Sequence, residues 1–417
     1  MTEGTGPTSP ADRRYTDALN GMDVLVILIC LVTPSLVLSP WSQMANFTDF
    51  PEYYAAAKLF AAGHFRDVYD IQAIGHMQNM VYADLHGRTI PLFLLPTLAW
   101  CLVPLAWMPF QVSLVVWTCF LCAVLLIAFL LVDRMMSLSR RQRLWTAALL
   151  GTSGPCLECI RISQPGPLLL LGLTVWVYGM VNRKSLLSAC GQAVFWLKPH
   201  ILLPLMLFDA GTKSFGVLAR TCILGAVGSI FALLVGGPST FEAYFSEIAS
   251  SPARVFMGSV TGPTFRGQLM RLKLPLTDGV IDAISYAAYA LVLAGTFMLA
   301  RRCSRLEQRL IVVFAVVIPL SLAFVTHLQN YDLLLLFPGL VAPFVLPSKA
   351  GRSRNVQRIV SALLILLLSL PVYIFVHYFY VLPGGLVNPF FIGTIIWGAV
   401  SLLALKDSSV SHAVEKE

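Results

Sequence analysis

The sequence predicts an all-α fold, a polytopic transmembrane helical bundle, on three observations. Hydrophobic residues make up 57% of the 417 and charged residues only 12%, about half the roughly 25% charge of soluble domains. Apolar runs of about 20 residues, enough to cross roughly 30 Å of hydrocarbon, recur along the chain. Lys and Arg concentrate in short segments between those runs. A mean hydropathy of +0.76 excludes a single water-soluble core, a disordered chain and a disulfide-stapled secreted domain. The net charge of +8 reads as orienting charge rather than as a nucleic-acid footprint.

The runs fall near 22–40, 91–108, 110–132, 144–162, 164–181, 186–208, 215–236, 281–300, 310–326, 331–347, 359–380 and 389–405. They predict about ten to twelve crossings within a membrane domain spanning 21–406, between cytoplasmic tails at 1–20 and 407–417. The first run follows Arg13 and Arg14 and lacks a small-residue cleavage site, so it reads as an anchored helix. Arg301, Arg302, Arg305 and Arg309 fill one short connection; Lys349, Arg352, Arg354 and Arg358 fill another. Both are placed on the cytoplasmic side, which puts the long segments 41–90 and 237–280 outside. Arg134, Arg140, Arg141 and Arg143 place 133–143 inside as well, against a strict count of twelve spans. Something between 91 and 208 is therefore broken or re-entrant. Pro91, Pro96, Pro104, Pro109, Pro155, Pro165, Pro167, Pro199 and Pro204 supply the breaks. Such backbone is tolerated only against protein or a watery cavity.

In the first outer loop, Thr48 or Asp49 caps a helix with Pro51 in its first turn and Gly63 at its exit. Tyr53, Ala56, Ala57 and Phe60 form its apolar stripe. Asp70 starts a second helix with Ile71, Ile74, Met77 and Val81 on one face. Both helices are expected to lie in the membrane interface. Asp49 serves either as a helix cap or as a general base at the membrane surface. Glu52, Asp67 and Asp70 are its rivals in the same loop, and spacing alone does not choose among them.

Lys198 interrupts an apolar run in Trp196-Leu197-Lys198-Pro199-His200. A charge there costs roughly 2.5–3.5 kcal/mol or more, so a functional role is the default reading, against a snorkelling lysine at a span end. Arg161 and Gln164 lie at the break before Pro165, or in an ordinary short loop. His327, Gln329, Asn330, Tyr331 and Asp332 share one outward turn. Arg254, Arg266 and Arg271 add cations in the second outer loop, with Arg254 and Arg271 read as solvated or at lipid headgroups. Cations of this kind hold a phosphate while a nearby carboxylate activates a hydroxyl. Cofactor and metal signatures are not evident: there is no phosphate-binding glycine loop, no Rossmann glycines, no zinc spacing and no Asp-x-Asp. Cys156 and Cys159 read as packing.

These residues resemble glycosyltransferase family 87. Asp49-Phe50 with Tyr53-Tyr54, then Ala61-Ala62-Gly63 and Val68-Tyr69-Asp70, is similar to the family's first outer loop. Gln164 with Leu168-Leu169-Leu170 resembles its Gly-Gln segment, with Ser163 in place of the glycine. Lys198-Pro199-His200, the stretch from Ser259 to Leu272 with Arg266, and His327 with Tyr331-Asp332 follow in the same order. The resemblance implies a GT-C type membrane transferase using a polyprenyl-phosphate-linked sugar, mannose being the first choice, and a lipid or glycan acceptor. It implies Asp49 as catalytic base. Lys198, Arg266, Gln164 and His327 are implied at the donor phosphate or sugar, with Arg161 beside them, and Tyr53, Tyr331 and Asp332 in the pocket. One displacement inverts the anomeric centre. The competing readings are a secondary transporter, which also needs broken helices and buried charge, and a non-catalytic export or assembly subunit.

Overall fold

The computed structural model describes residues 49–82, 89–249, 262–303, 305–325, 327–345, 352–381 and 385–414. The first apolar run, Arg254 and Lys349 lie outside these, and so do the side chains of Arg352, Arg354 and 404–414. The described residues are helical nearly throughout, with one isolated bridge between Ser153 and Ser369.

Helix α1 (Phe50–Ala61) takes Pro51 in its first turn, and Gly63 leaves it at φ 81°, a left-handed position that suits glycine. A short 3₁₀ turn, Asp67–Tyr69, leads to α2 (Ile71–Val81), where Asp70 accepts from the backbone N–H of Gln72 and Ala73 at 2.8 and 3.0 Å. The predicted stripe of α1 is buried, but so is almost every other face of it. α1 is therefore packed within the protein on nearly every side. What covers it is the segment expected to be a span at 91–108. That segment forms only α3 (Pro96–Ala99) and a 3₁₀ helix, Trp100–Trp107, around Pro104. Gln78 binds Ile90 at the segment's start through both amide atoms, Tyr69 donates to Leu94 O, and Tyr54 donates to Met108 O at its end. Both ends of 91–108 are thus tied to the first outer loop, and the prolines have broken an apolar run into a cover.

Helix α4 (Phe110–Met136) follows Pro109 and stops where Ser137 turns left-handed, with Arg143 pairing Asp133 beyond its end at 2.7 Å. The return is broken into α5 (Arg140–Gly151), opened by a Ser139–Gln142 capping box, and α6 (Gly154–Arg161), capped by Ser153. Then come α7 (Gly166–Val181) and α8 (Ser185–Ala193), which runs on as a 3₁₀ turn to Leu197. α7 and α8 approach so closely that a Cβ on Gly191 would collide with the backbone of Trp176.

The expected span 186–208 is instead a helical hairpin. Lys198 leaves the helical region at φ −137°, ψ 80°, and α9 (Pro199–Gly211) folds back, so that Gln192 Nε2 reaches Asp209 Oδ2 at 3.0 Å. α10 (Phe215–Gly236) and α11 (Pro238–Ala249) follow, and Tyr244 of α11 packs edge-on to Tyr69 of the first loop at 5.4 Å. After α12 (Phe265–Arg271) come α13 (Asp278–Arg302), α14 (Leu306–Val312), a π turn Val313–Val317 and α15 (Ile318–Phe324). The 3₁₀ helix Asn330–Leu336 leads into α16 (Phe337–Val345). α17 (Arg352–Leu368), α18 (Leu370–Val376) with a π turn His377–Val381, and α19 (Pro389–Val414) complete the bundle. Among the described residues, α4, α10 and α13 are long and apolar enough to cross a membrane, and the other apolar helices are shorter.

The chain's turns sort by chemistry. Arg134, Arg140, Arg141, Arg143, Arg183, Lys184, Lys213, Arg301, Arg302 and Arg309 all lie in or beside turns at one end of the helices. Asp49, Gln164, Lys198, His327 and Asp332 lie at breaks approached from the other end. Striking 91–108 as a crossing and folding 185–211 back removes the conflict over 133–143. Two packed cores result: a small one from α1, α2, the 3₁₀ helix Trp100–Trp107 and the start of α4, and a large one around α7, the hairpin and 330–337.

Candidate active site

The site lies where the two cores meet. The backbone N–H of Asp49 donates to Ile162 O at 3.0 Å, pinning the start of α1 to the α6–α7 turn. In that turn Ser163 adopts φ 63°, a left-handed geometry that favours glycine, and its carbonyl accepts from Trp117 Nε1 at 2.9 Å. The turn presents Gln164, whose Nε2 donates to Asp49 Oδ2 at 2.5 Å while its Oε1 accepts from Tyr53 OH at 3.3 Å. The Tyr53 ring packs against Trp117 at 5.9 Å. Asp49 stands at the cap position of α1, yet its side chain makes no capping bond. The capping reading therefore fails, and Oδ1 takes no hydrogen bond from the described residues.

The rival acids are accounted for differently. Asp67 pairs with His64 on an exposed turn at 3.1 Å, and Asp70 caps α2. Glu52 is 6% exposed. Burial, then the charge of Asp49, holds its carboxyl well above the usual range, against a backbone hydrogen bond from Phe93. Burial also pushes Asp49 up, to about 6, moderated by the Gln164 hydrogen bond and by the positive charge of Lys198. Burial thus raises both neighbouring carboxyls, and at Asp49 the Gln164 hydrogen bond and the Lys198 charge oppose it.

Lys198 projects from the apex of the hairpin. Its Nζ sits between both oxygens of Asp332, at 2.6 and 2.7 Å, and 5.1 Å from the centre of the Tyr331 ring. The pair is nearly sealed, with side-chain exposures of 14% and 0%. Asp332 also accepts from Gln329 N at 3.1 Å. His327 packs edge-on to His200 at 6.3 Å. Arg266 does not join this group: its Nε is taken by Asp282 at 2.6 Å. Arg161 donates to Tyr378 OH at 2.8 Å. Arg271, expected in solvent or at headgroups, is buried and donates to Gly385 O and Val381 O at 2.6 and 2.9 Å. Those two backbone carbonyls, far away in the chain, enclose it rather than solvent.

Sequence reasoning passed over His377, Tyr373 and Glu158. Glu158 accepts from Tyr373 OH, the Tyr373 ring stacks on His377 at 5.8 Å, and Asn330 meets His377 Nδ1 at 2.8 Å. The signal was available: His377 interrupts an apolar run as Lys198 does. Cys156 and Cys159 are buried free thiols.

Neither curated proteins nor solved structures give a match. The model of glycosyltransferase family 87 matches residues 95–327, more than half of the chain, a stretch that holds Arg161, Gln164, Lys198, Arg266 and His327. That match decides against a carrier or a non-catalytic subunit, and with it the chain belongs to glycosyltransferase family 87 and is a membrane glycosyltransferase.

Proposed function

We propose that this transferase moves a hexose, mannose being the first choice, from a polyprenyl-phosphate carrier to a lipid or glycan hydroxyl. The observation that carries the reading is the Asp49 carboxylate. It is held by one hydrogen bond, buried enough to titrate near 6, and keeps one oxygen unengaged among the described residues. A base of that strength accepts a proton near neutral pH and releases it afterwards.

Asp49 removes the acceptor hydroxyl proton as that oxygen attacks the anomeric carbon. The bond from that carbon to the phosphate oxygen breaks, and polyprenyl phosphate leaves with the electron pair. One displacement inverts the configuration. Gln164 holds the base in place, and Lys198, kept in position by Asp332, favours its ionised form. Tyr53, Tyr331 and His327 line the approach and contact substrate. Arg266 acts on the donor only if it leaves Asp282. Lys and Arg mark cytoplasmic connections, so the site, at the opposite end from the basic turns, works on the far face.

The test compares lipid-linked glycans in wild type, a deletion strain, and the deletion carrying Asp49→Asn. One defined sugar should be lost in both mutants, with its shorter precursor accumulating. Purified protein in detergent, where no gradient exists, should turn over a polyprenyl-phosphate sugar. Unchanged glycans in both mutants end this reading.

A further inference from the structure

A second polar cluster lies beside Asp49 and is not used by the steps above. Arg161 ends α6, one residue before the carbonyl that holds the Asp49 backbone. It gives one hydrogen bond, to Tyr378 OH, and its other nitrogens give none to the described residues. Arg271 comes from α12, 4% exposed, with its Nε buried and unpartnered. Both reach the turn that His377 begins, Arg161 through Tyr378 OH and Arg271 through Val381 O. His377 Nδ1 is engaged by Asn330, itself 3% exposed with Oδ1 buried and unpartnered. Nε2 of His377 has no hydrogen bond among the described residues. Glu158, on the same helix as Arg161, is engaged by Tyr373 OH.

Two guanidinium groups and an imidazole therefore gather at the turn His377–Val381, and Arg271, whose other nitrogens hold Gly385 O and Val381 O, keeps one buried N–H without a partner. Buried donors without partners are rare and call for a reason. An anion supplies one: phosphate oxygens match a guanidinium edge and an imidazole N–H. The flanking surface says what the anion is attached to. Phe375 and Phe379 of the same helix point outward, at 64% and 71% exposure, where an apolar chain would lie. Lys198 and Arg266, by contrast, already have carboxylate partners.

We propose that Arg161, Arg271 and His377 form the seat for the phosphate of a lipid-linked donor, with Phe375 and Phe379 guiding its tail. This rests on the function proposed above and moves the phosphate away from Lys198 and Arg266. The phosphate gains a negative charge as the glycosyl bond breaks, so cations here favour departure as well as binding.

The full-length protein in detergent is titrated with farnesyl phosphate, farnesol and inorganic phosphate, and in nanodiscs of phosphatidylcholine with and without phosphatidylglycerol. Farnesyl phosphate should bind and raise the melting temperature; farnesol and inorganic phosphate should bind far more weakly. Arg161→Met and His377→Gln should each weaken farnesyl phosphate roughly ten- to a hundredfold. Arg271→Lys, which keeps the charge and loses the forked geometry, should weaken it less. Asp49→Asn should bind as wild type does, so a wrong base and a wrong phosphate seat give different results. Equal binding by wild type and both Arg161→Met and His377→Gln overturns the proposal. So does competition by phosphatidylglycerol equal to that of farnesyl phosphate, which would make this a general headgroup contact.

Discussion

Two carboxylates meet donors at and near opposite ends of α7, Gln164 just before it and Trp176 within it, and the protein treats them in opposite ways. Near the basic end, Asp209 receives Trp176 Nε1 at 3.1 Å and Gln192 Nε2 at 3.0 Å, and Thr221 completes the set by donating to Gln192 at 2.8 Å. Near the other end, Asp49 receives Gln164 alone. Both donors fall on Oδ2, and Asp209, 2% exposed, sits in a network that ties α7, α8, α9 and α10 together. Asp49 is left short of donors at a seam between two cores. A carboxylate tied by two side-chain donors into a four-helix network holds structure, and one held by a single donor at a seam is freer to accept a proton. Asp332 shows the first pattern again, with Lys198 across both its oxygens.

The sharpest way to break this contrast is to neutralise Asp49. Asp49→Asn should lower transfer by roughly 10²–10⁴-fold while the folded protein persists, as read by single-turnover transfer alongside thermal melting. Transfer within tenfold of wild type would move Asp49 into the structural class.

Next in size is the Lys198–Asp332 pair. Asp332→Leu strands a lysine in a nearly closed site and should cost about 3–5 kcal/mol of stability. Replacing both partners, Lys198→Met with Asp332→Leu, should cost less than the single change. Denaturation of the four proteins of that cycle measures the coupling, and additive losses would mean that the pair is not a pair.

Asp209→Leu removes the acceptor from two buried donors and should cost about 1–3 kcal/mol for each. Activity per folded molecule should stay near wild type. A selective loss of activity here would erase the distinction between the two carboxylates.

The contrast was half legible in the sequence. Asp49, Gln164, Lys198 and Asp332 stood out because polar groups in apolar surroundings must be compensated, and the structure brings them together. The helices of the first loop were legible because Pro51, Gly63 and Asp70 carry local instructions. The path of 91–108 was not, because hydropathy reports how apolar a run is and not whether prolines turn it sideways. The hairpin at Lys198 had the same cause: its two halves read as one run. Partners were hardest of all. That Asp282 takes Arg266, and that backbone carbonyls enclose Arg271, depends on where distant segments close.

The smallest expected effect is the most diagnostic, because only a titrating base produces it. Burial holds Asp49 up at about 6, above its ordinary 3.8. The ionised form is the working one, so kcat/KM should rise tenfold per pH unit below about 6 and then level off. The donor phosphodiester has no group titrating there, so such a limb belongs to the protein. Gln164→Leu deletes a hydrogen bond that favours the carboxylate and should move the limb to higher pH, with a smaller effect on the plateau. Stability carries the opposite sign from an ordinary aspartate. The fold favours the protonated acid, so this group's contribution is full below the unfolded value near 3.8 and is lost as pH rises through about 6. Asp49→Asn should therefore gain roughly 1–2 kcal/mol at pH 8 and nothing at pH 4, by thermal melting at both. A limb that stays near 6 in Asp49→Asn, or an Asn gain equal at both pH values, would assign the titration to another group.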